Sequence, residues 1–212
     1  MHDTPAPSVD AKTALSPDEA LQLLVEGNQN FTDDVPTSQP VGRARRLEIA
    51  QGQAPFAAYV TCSDSRVSPE ILFGRGLGEL FIVRNAGNTV DTVALGSIEF
   101  AVAQLGVPLV VVMGHENCGA VSAAKAVVDD NTHFPGNIGK MIEPIIPAVL
   151  DVRGQTGDGL SNAVHANVRR VVRQLRTSSD PLLLEPQSSG RLKVVGAYYH
   201  LHTGVVDFFD RP

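Results

Sequence analysis

Short apolar runs alternate with longer segments of helical character from residue 55 onward. Residues 56–61, 80–84 and 109–113 are apolar and rich in β-branched or aromatic side chains, as buried strands are. Residues 91–105 and 118–128 are long enough for helices and apolar enough to pack on a sheet. This alternation predicts an α/β fold with a central, mainly parallel β-sheet flanked by helices.

The sequence before residue 55 predicts an N-terminal helical arm over residues 16–52, preceded by a loose segment over residues 1–15. Ser16 can cap a helix, Pro17 suits its first position, and Glu19 completes a capping box. Apolar residues at helical spacing continue this helix to a predicted end near Gly27-Asn28, and a second short helix is expected over residues 41–50.

The C-terminal third predicts four further segments. Residues 131–140 are expected to form a loop, and residues 161–176 an amphipathic helix with valines along one stripe. Residues 192–201 are typical of a strand, and residues 205–209 of an adjacent turn or edge strand.

Composition and charge narrow the classes of function. The chain has 212 residues, 43% of them hydrophobic, so we expect one globular domain over residues 1–212. A formal net charge of −6 without a basic stripe disfavours nucleic acid as a partner. No apolar run approaches the ~20 residues that span a bilayer, and the N-terminus lacks signal-peptide character. We therefore expect no membrane partner and a cytoplasmic protein, or a periplasmic one if a signal peptide has been removed.

The two cysteines, Cys62 and Cys118, each follow a predicted strand within a few residues. The carboxyl ends of parallel strands meet in one crevice, so the two segments should face each other. His115 precedes Cys118 by three positions, a spacing that lets a turn present both side chains to one ion. A Cys₂His set is typical of catalytic zinc, and thiolates favour zinc over hard cations. Two unrelated buried thiols and a disulfide remain as alternatives.

The residues around these cysteines resemble the β-class carbonic anhydrases. The likeness rests on Cys62-x-Asp64-x-Arg66 and His115-x-x-Cys118-Gly119, with Val-Arg-Asn-Ala-Gly-Asn at 83–88 and Gly-Ser-Ile-Glu at 96–99 between them. It runs from about residue 16 to the C-terminus and is strongest over residues 53–125. It implies an α/β fold and a zinc enzyme.

The resemblance implies that Cys62, His115 and Cys118 hold one zinc ion per chain. Asp64 and Arg66 would then be the catalytic pair, in which Arg66 keeps Asp64 off the metal so that water can bind. The same logic follows from chemistry alone, because an unpaired carboxylate beside a zinc ligand tends to take the open position. A bidentate guanidinium removes that competition.

Three residues are expected to bind substrate by the same resemblance. Gln53 and Phe81 fall where plant-type members place a pocket glutamine and phenylalanine, and Gly119 follows the second cysteine ligand. The sequence departs from the family at Phe100, where many members have tyrosine, and at Glu116, where a small hydroxyl residue is common.

The predicted function is the reversible hydration of carbon dioxide to bicarbonate and a proton by a zinc-bound hydroxide. Hydrolysis of carbon disulfide or carbonyl sulfide on the same fold, and a non-catalytic zinc or thiol protein, are the alternatives. The expected assembly is a homodimer or tetramer. The helix from Ser16 has an apolar stripe without an obvious partner in its own chain, and the resemblance implies that it embraces a neighbouring subunit.

Overall fold

The computed structural model describes residues 12–37 and 39–212, which form one five-stranded sheet flanked by helices. The strands lie in the order β2-β1-β3-β4-β5, and only β5 runs antiparallel to its neighbour. The mainly parallel sheet predicted from the sequence is therefore confirmed. The strands are β1 (Ala57–Cys62), β2 (Leu80–Asn85), β3 (Leu109–His115), β4 (Lys193–Tyr199) and β5 (Val206–Asp210).

Nine α-helices occur within those described ranges, and two short 3-10 turns accompany them. No helix there combines the length and apolar character needed to cross a membrane. The helices are α1 (Pro17–Thr32), α2 (Arg43–Ile49), α3 (Pro69–Leu72), α4 (Thr92–Ala103), α5 (Gly119–Asp130), α6 (Gly136–Ile142), α7 (Ile146–Asp151), α8 (Gly159–Arg176) and α9 (Pro181–Ser188).

Apolar side chains fill both faces of the sheet, and β1 and β3 are buried along their whole length. One face carries Tyr59 and Met113 and is covered by α1 and α3. The other carries Val60 and Val112 and is covered by α4 and α8. A parallel strand needs cover on both faces, which explains why the strand-forming runs are continuously apolar rather than alternating.

Helix α1 begins with the predicted capping box at Ser16, but it continues one turn past the predicted end at Gly27-Asn28. Both residues are buried and serve tertiary contacts. A Cβ at position 27 would collide with the carbonyl oxygen of Phe73. Asn28 accepts the N–H of Val206 at 2.7 Å and donates to the carbonyl of Gly204 at 2.9 Å. The predicted end was wrong because this glycine and asparagine pack the helix rather than stop it.

The apolar stripe of α1 packs on the sheet of its own chain. Ala20, Leu21 and Leu24 are buried in the same cluster as Phe73 and Met113. Helix α3 has only four residues and cannot cover this sheet face alone. The expectation that α1 lacks a partner within its chain is therefore wrong, and its stripe does not argue for a second subunit. Residues 1–11 of the predicted loose segment lie outside the described residues.

The predicted loop over residues 131–140 is also partly wrong. Asn131 ends α5 in the left-handed conformation, with φ of 52°, but α6 begins at Gly136. Helix α6 has no side-chain cap, so its start carries no sequence signal. It forms because Ile142 and the following Ile145 are buried against α5 and α8. Helices α3, α7 and α9 were likewise not predicted.

Candidate metal centre

Two adjacent strands and one helix bring the three predicted ligands together. Cys62 is the last residue of β1, and His115 is the last residue of the neighbouring β3. Cys118 occupies the N-cap position of α5, where the chain turns from sheet to helix. All three side chains are buried, and their ligand atoms lie within 4.8 Å of one another. The two segments therefore meet at the carboxyl edge of the sheet, as predicted.

The distance between the two sulfurs fits a shared tetrahedral metal. The Sγ atoms of Cys62 and Cys118 lie 3.9 Å apart, and both cysteines are free. Two thiolates at about 2.3 Å from one zinc ion have their sulfurs about 3.8 Å apart at the tetrahedral angle. A disulfide requires about 2.05 Å. The disulfide alternative is therefore wrong for this structure, and the donor set matches zinc.

The ring of His115 is oriented as a metal ligand. Its Nδ1 lies 2.8 Å from the carbonyl oxygen of Glu116, which can only accept, so Nδ1 carries the proton. The lone pair is then on Nε2, which is buried and has no hydrogen-bond partner. A buried nitrogen without a partner is costly unless an ion or water satisfies it. Together with the two sulfurs, this orphaned atom shows that the residues fit a metal.

A hydrogen bond between the two thiol groups shifts their pKa values in opposite directions. A hydrogen bond from Cys118 lowers the pKa of Cys62, and the Gly87 N–H, 3.4 Å from the Cys62 sulfur, adds to this effect. The Cys62 thiolate and burial raise the pKa of Cys118, while the backbone N–H groups of Val121 and Ala120 act in the opposite direction. A bound divalent cation removes this conflict because it favours both thiolates.

Asp64 and Arg66 form the predicted ion pair beside the ligands. Arg66 Nε donates to Oδ1 at 2.9 Å and Nη2 donates to Oδ2 at 2.7 Å, a two-point contact. The guanidinium holds the pKa of Asp64 well below its ordinary range. Oδ2 also lies 3.9 Å from Nε2 of His115, so the carboxylate borders the space where a metal would sit.

A second arginine, which the sequence did not single out as a site residue, supports this segment from β2. Arg84 Nε donates to the carbonyl of Cys62 at 3.2 Å, and Nη2 donates to that of Asp64 at 2.8 Å. These contacts tie the ligand and the carboxylate to the neighbouring strand. The only sequence signal for this role was that Arg84 lies in the run at 83–88.

Glu116 lies next to the ligand His115, but its carboxylate turns away from the ligands. Both its oxygens lie within about 3.1 Å of Nδ1 of His202, and the backbone N–H of His202 also donates to it. The contact with His202 lowers the pKa of Glu116. The carboxylate of Glu116, a residue that departs from the family pattern, therefore contacts the exposed His202.

The three predicted substrate residues do not lie together. Gly119 is the first residue of α5, directly after Cys118, and a Cβ there would meet nothing within 4 Å, so it borders open space at the ligands. Phe81 on β2 pairs with Ala58 on β1. Ala58 lies four residues before Cys62, so Phe81 is about 13 Å from the level of Cys62, measured along the strands. Gln53 is exposed and precedes β1 at that same far edge.

Sequence comparison with known proteins points to the same family. The family model for carbonic anhydrase matches residues 57–206. Carbonic anhydrase 2 of Mycobacterium tuberculosis is 40% identical over 194 residues, which cover 89% of this chain and 91% of that protein.

The chain also resembles solved structures of β-carbonic anhydrases. The chain resembles a tetrameric β-carbonic anhydrase from Sordaria macrospora with a TM-score of 0.70 and 26% identity, covering 77% of this chain and 84% of that one. It also resembles the Coccomyxa β-carbonic anhydrase in complex with acetazolamide, with a TM-score of 0.68 and 29% identity over 93% of this chain and 87% of that one. With its sequence, its sheet and its cysteine–histidine cluster in agreement, the chain belongs to the β-carbonic anhydrase family.

Proposed function

We propose that Cys62, His115 and Cys118 hold one zinc ion per chain and that the protein catalyses the reversible hydration of carbon dioxide. The observation that carries this proposal is the buried Cys₂His cluster with the orphaned Nε2 of His115, bordered by a paired carboxylate. Three protein ligands leave the fourth tetrahedral position open, as catalytic zinc sites require. A bound zinc ion supplies a Lewis acid that lowers the pKa of a water in that position.

Asp64 and Arg66 then determine which molecule can occupy the open fourth position. Arg66 N–H groups occupy both oxygens of Asp64, so the carboxylate is held in place and kept from binding the metal itself. The remaining lone pairs of Oδ2 accept a hydrogen bond, so Asp64 selects a reactant that carries a proton. We assign the exposed Gly119 N–H at the start of α5 to bicarbonate, because helix N-termini favour anions.

The two alternatives are less well supported. A purely structural zinc site has four protein ligands, whereas three candidate ligands converge here among residues 12–37 and 39–212, with the paired carboxylate of Asp64 beside them. Hydrolysis of carbon disulfide or carbonyl sulfide would use the same ligands, but the named relatives are carbonic anhydrases. Carbon dioxide is therefore the proposed substrate.

Stopped-flow hydration of carbon dioxide tests this function directly. We expect turnover that scales with zinc content, disappears after dialysis against a chelator, and returns when zinc is added. Assays with carbon disulfide and carbonyl sulfide on the same sample provide the comparison. A fully zinc-loaded protein that leaves carbon dioxide unhydrated, or that prefers a sulfur substrate, would refute the proposal.

We also propose that each complete substrate pocket needs two chains, in a homodimer or tetramer. Gln53 and Phe81 lie at the far edge of the sheet and cannot reach the ligands of their own chain. Phe100, whose ring centre is 6.3 Å from that of Phe81, is 49% exposed. A partly buried phenylalanine beside an exposed one at this edge suits a second copy, and a structural relative is described as tetrameric.

Mixing two inactive variants tests this sharing of the pocket. Gln53→Ala lacks the pocket amide and Cys118→Ser lacks a metal ligand, so each protein alone should have low activity. In a mixed dimer the metal site of one chain meets the intact Gln53 of the other. We expect about a quarter of wild-type activity after subunit exchange, because half of the dimers are mixed and each has one complete site.

The control is Gln22→Ala mixed with Cys118→Ser, since Gln22 is exposed on α1 and its side chain donates to Glu26 of the same helix. Light scattering should show an oligomer for every variant. A monomer with full activity, or no gain on mixing Gln53→Ala with Cys118→Ser while both exchange subunits, would contradict the shared pocket.

A further inference from the structure

The amide of Gly87 reaches the sulfur of Cys62 only because the chain adopts an unusual conformation there. Gly87 N donates to Cys62 Sγ at 3.4 Å. Its φ of 73° and ψ of 22° lie in the left-handed region and interrupt the 3-10 turn over Ala86–Asn88. A Cβ at this position would lie 2.5 Å from Cδ1 of Ile145. The close packing around this turn therefore requires glycine.

Asn167 holds this glycine from the opposite side. Asn167 lies on α8, 80 residues further along the chain, and donates from Nδ2 to the carbonyl of Gly87 at 2.8 Å. It is 2% exposed, so its amide is shielded from water. A carbonyl oxygen accepts only, which fixes the orientation of the Asn167 amide. Both polar groups of Gly87 are thus engaged, one by Asn167 and one by the thiolate.

We propose that Asn167 is a positioning residue for the metal centre: by holding the Gly87 carbonyl, it aims the Gly87 N–H at the sulfur of Cys62. This inference rests on the proposed metal site. The hydrogen bond of the Asn167 side chain is to Gly87 and not to a candidate ligand, so Asn167 acts on the sulfur through Gly87. Partners of this kind, one shell beyond the ligands, tune metal affinity and reactivity in other sites.

The physical effect follows from what an N–H does to a thiolate. The hydrogen bond withdraws electron density from the sulfur, so the sulfur donates less to the metal. Without Asn167 the carbonyl of Gly87 loses its anchor, and rotation about φ and ψ of this glycine moves its N–H away from the sulfur. A thiolate without its donor is richer in electrons and easier to oxidise, so its charge-transfer absorption to a bound Co²⁺ ion moves to longer wavelength. The ligand also loses its fixed orientation, and this loss outweighs the gain in donation, because removing a partner that holds a ligand in place lowers metal affinity.

The test compares Asn167→Leu with Gln174→Leu. Gln174 lies on the same helix and likewise donates to the segment after β2, at the carbonyl of Val90, 3.2 Å away, but it has no route to Cys62. A merely structural role of Asn167 would change the unfolding transition without moving the cobalt band. Each protein is loaded with Co²⁺ for absorption spectra and with Zn²⁺ for competition against a chelator, and its unfolding is followed by circular dichroism.

We expect Asn167→Leu to lose about 10- to 100-fold in zinc affinity and to shift the sulfur-to-cobalt band to longer wavelength. Gln174→Leu should match the wild type in both. Asn167→Ala likewise removes the donor and should act in the same direction, and it serves as the test if the leucine variant does not fold. A folded Asn167 variant with unchanged affinity and spectrum would overturn the inference. Failure of the proposed function would instead appear in the wild-type protein, as absent metal binding or absent hydration.

Discussion

Replacing Cys118 with serine is expected to remove the metal and to reduce carbon dioxide hydration more than about 100-fold. Loss of a residue that merely supports a ligand costs about 10- to 100-fold, and loss of the ligand itself should cost more. Serine is nearly isosteric with cysteine, but its alcohol stays protonated and is a poor ligand for zinc. The fold should persist, because Cys118 is the N-cap of α5 and serine is favoured at that position. The variant thus separates loss of the ligand from loss of structure.

Elemental analysis of zinc per chain, with stopped-flow hydration on the same sample, measures this effect. The control is Ser122→Ala, an exposed position in the first turn of the same helix, which should keep about one zinc ion per chain and full activity. Circular dichroism should superimpose for all three proteins. Full zinc occupancy in Cys118→Ser would remove this cysteine from the ligand set and refute the proposed centre.

The sheet could be predicted from the sequence because its strands are buried on both faces. A continuous apolar run such as residues 109–113 has few alternatives, and β3 indeed begins at Leu109. The ends of the helices were harder to predict, because no comparable pattern marks them. Gly27 and Asn28 look like a helix end, and only the approach of Phe73 and the contact with Val206 show why the helix continues. These contacts depend on segments far apart in sequence.

The cysteine–histidine cluster could be predicted because its motifs are local in sequence. Cys62 with Asp64 and Arg66, and His115 with Cys118, each form a short motif at a strand end. The residues that support them could not be found in this way. Asn167 is one asparagine on a helix rich in arginine, and its link to Gly87 exists only once α8 packs on the sheet. The partner of α1 was missed for the same reason.

Arg66→Ala is expected to reduce turnover by roughly 100-fold while leaving zinc bound. This is the size of effect seen when a residue that supports a metal site is removed. Without the guanidinium, Asp64 is free to turn toward the ligands, and its Oδ2 already lies 3.9 Å from Nε2 of His115. A carboxylate is a good zinc ligand, so it would take the open position and exclude water. Arg66→Lys should also fail, because an ammonium cannot hold both oxygens at once.

The matched control is Arg45→Ala, which removes another arginine–carboxylate contact, that with Glu48 at 2.8 Å, far from the ligands along the chain. Both arginines are partly exposed, so neither change should alter stability much. Hydration rates at pH 8 and the Co²⁺ spectrum give the readouts. In Arg66→Ala the cobalt spectrum should no longer respond to pH, because a carboxylate replaces the titrating water. Wild-type hydration by a folded, metal-loaded Arg66→Ala would show that this arginine does not keep Asp64 off the metal.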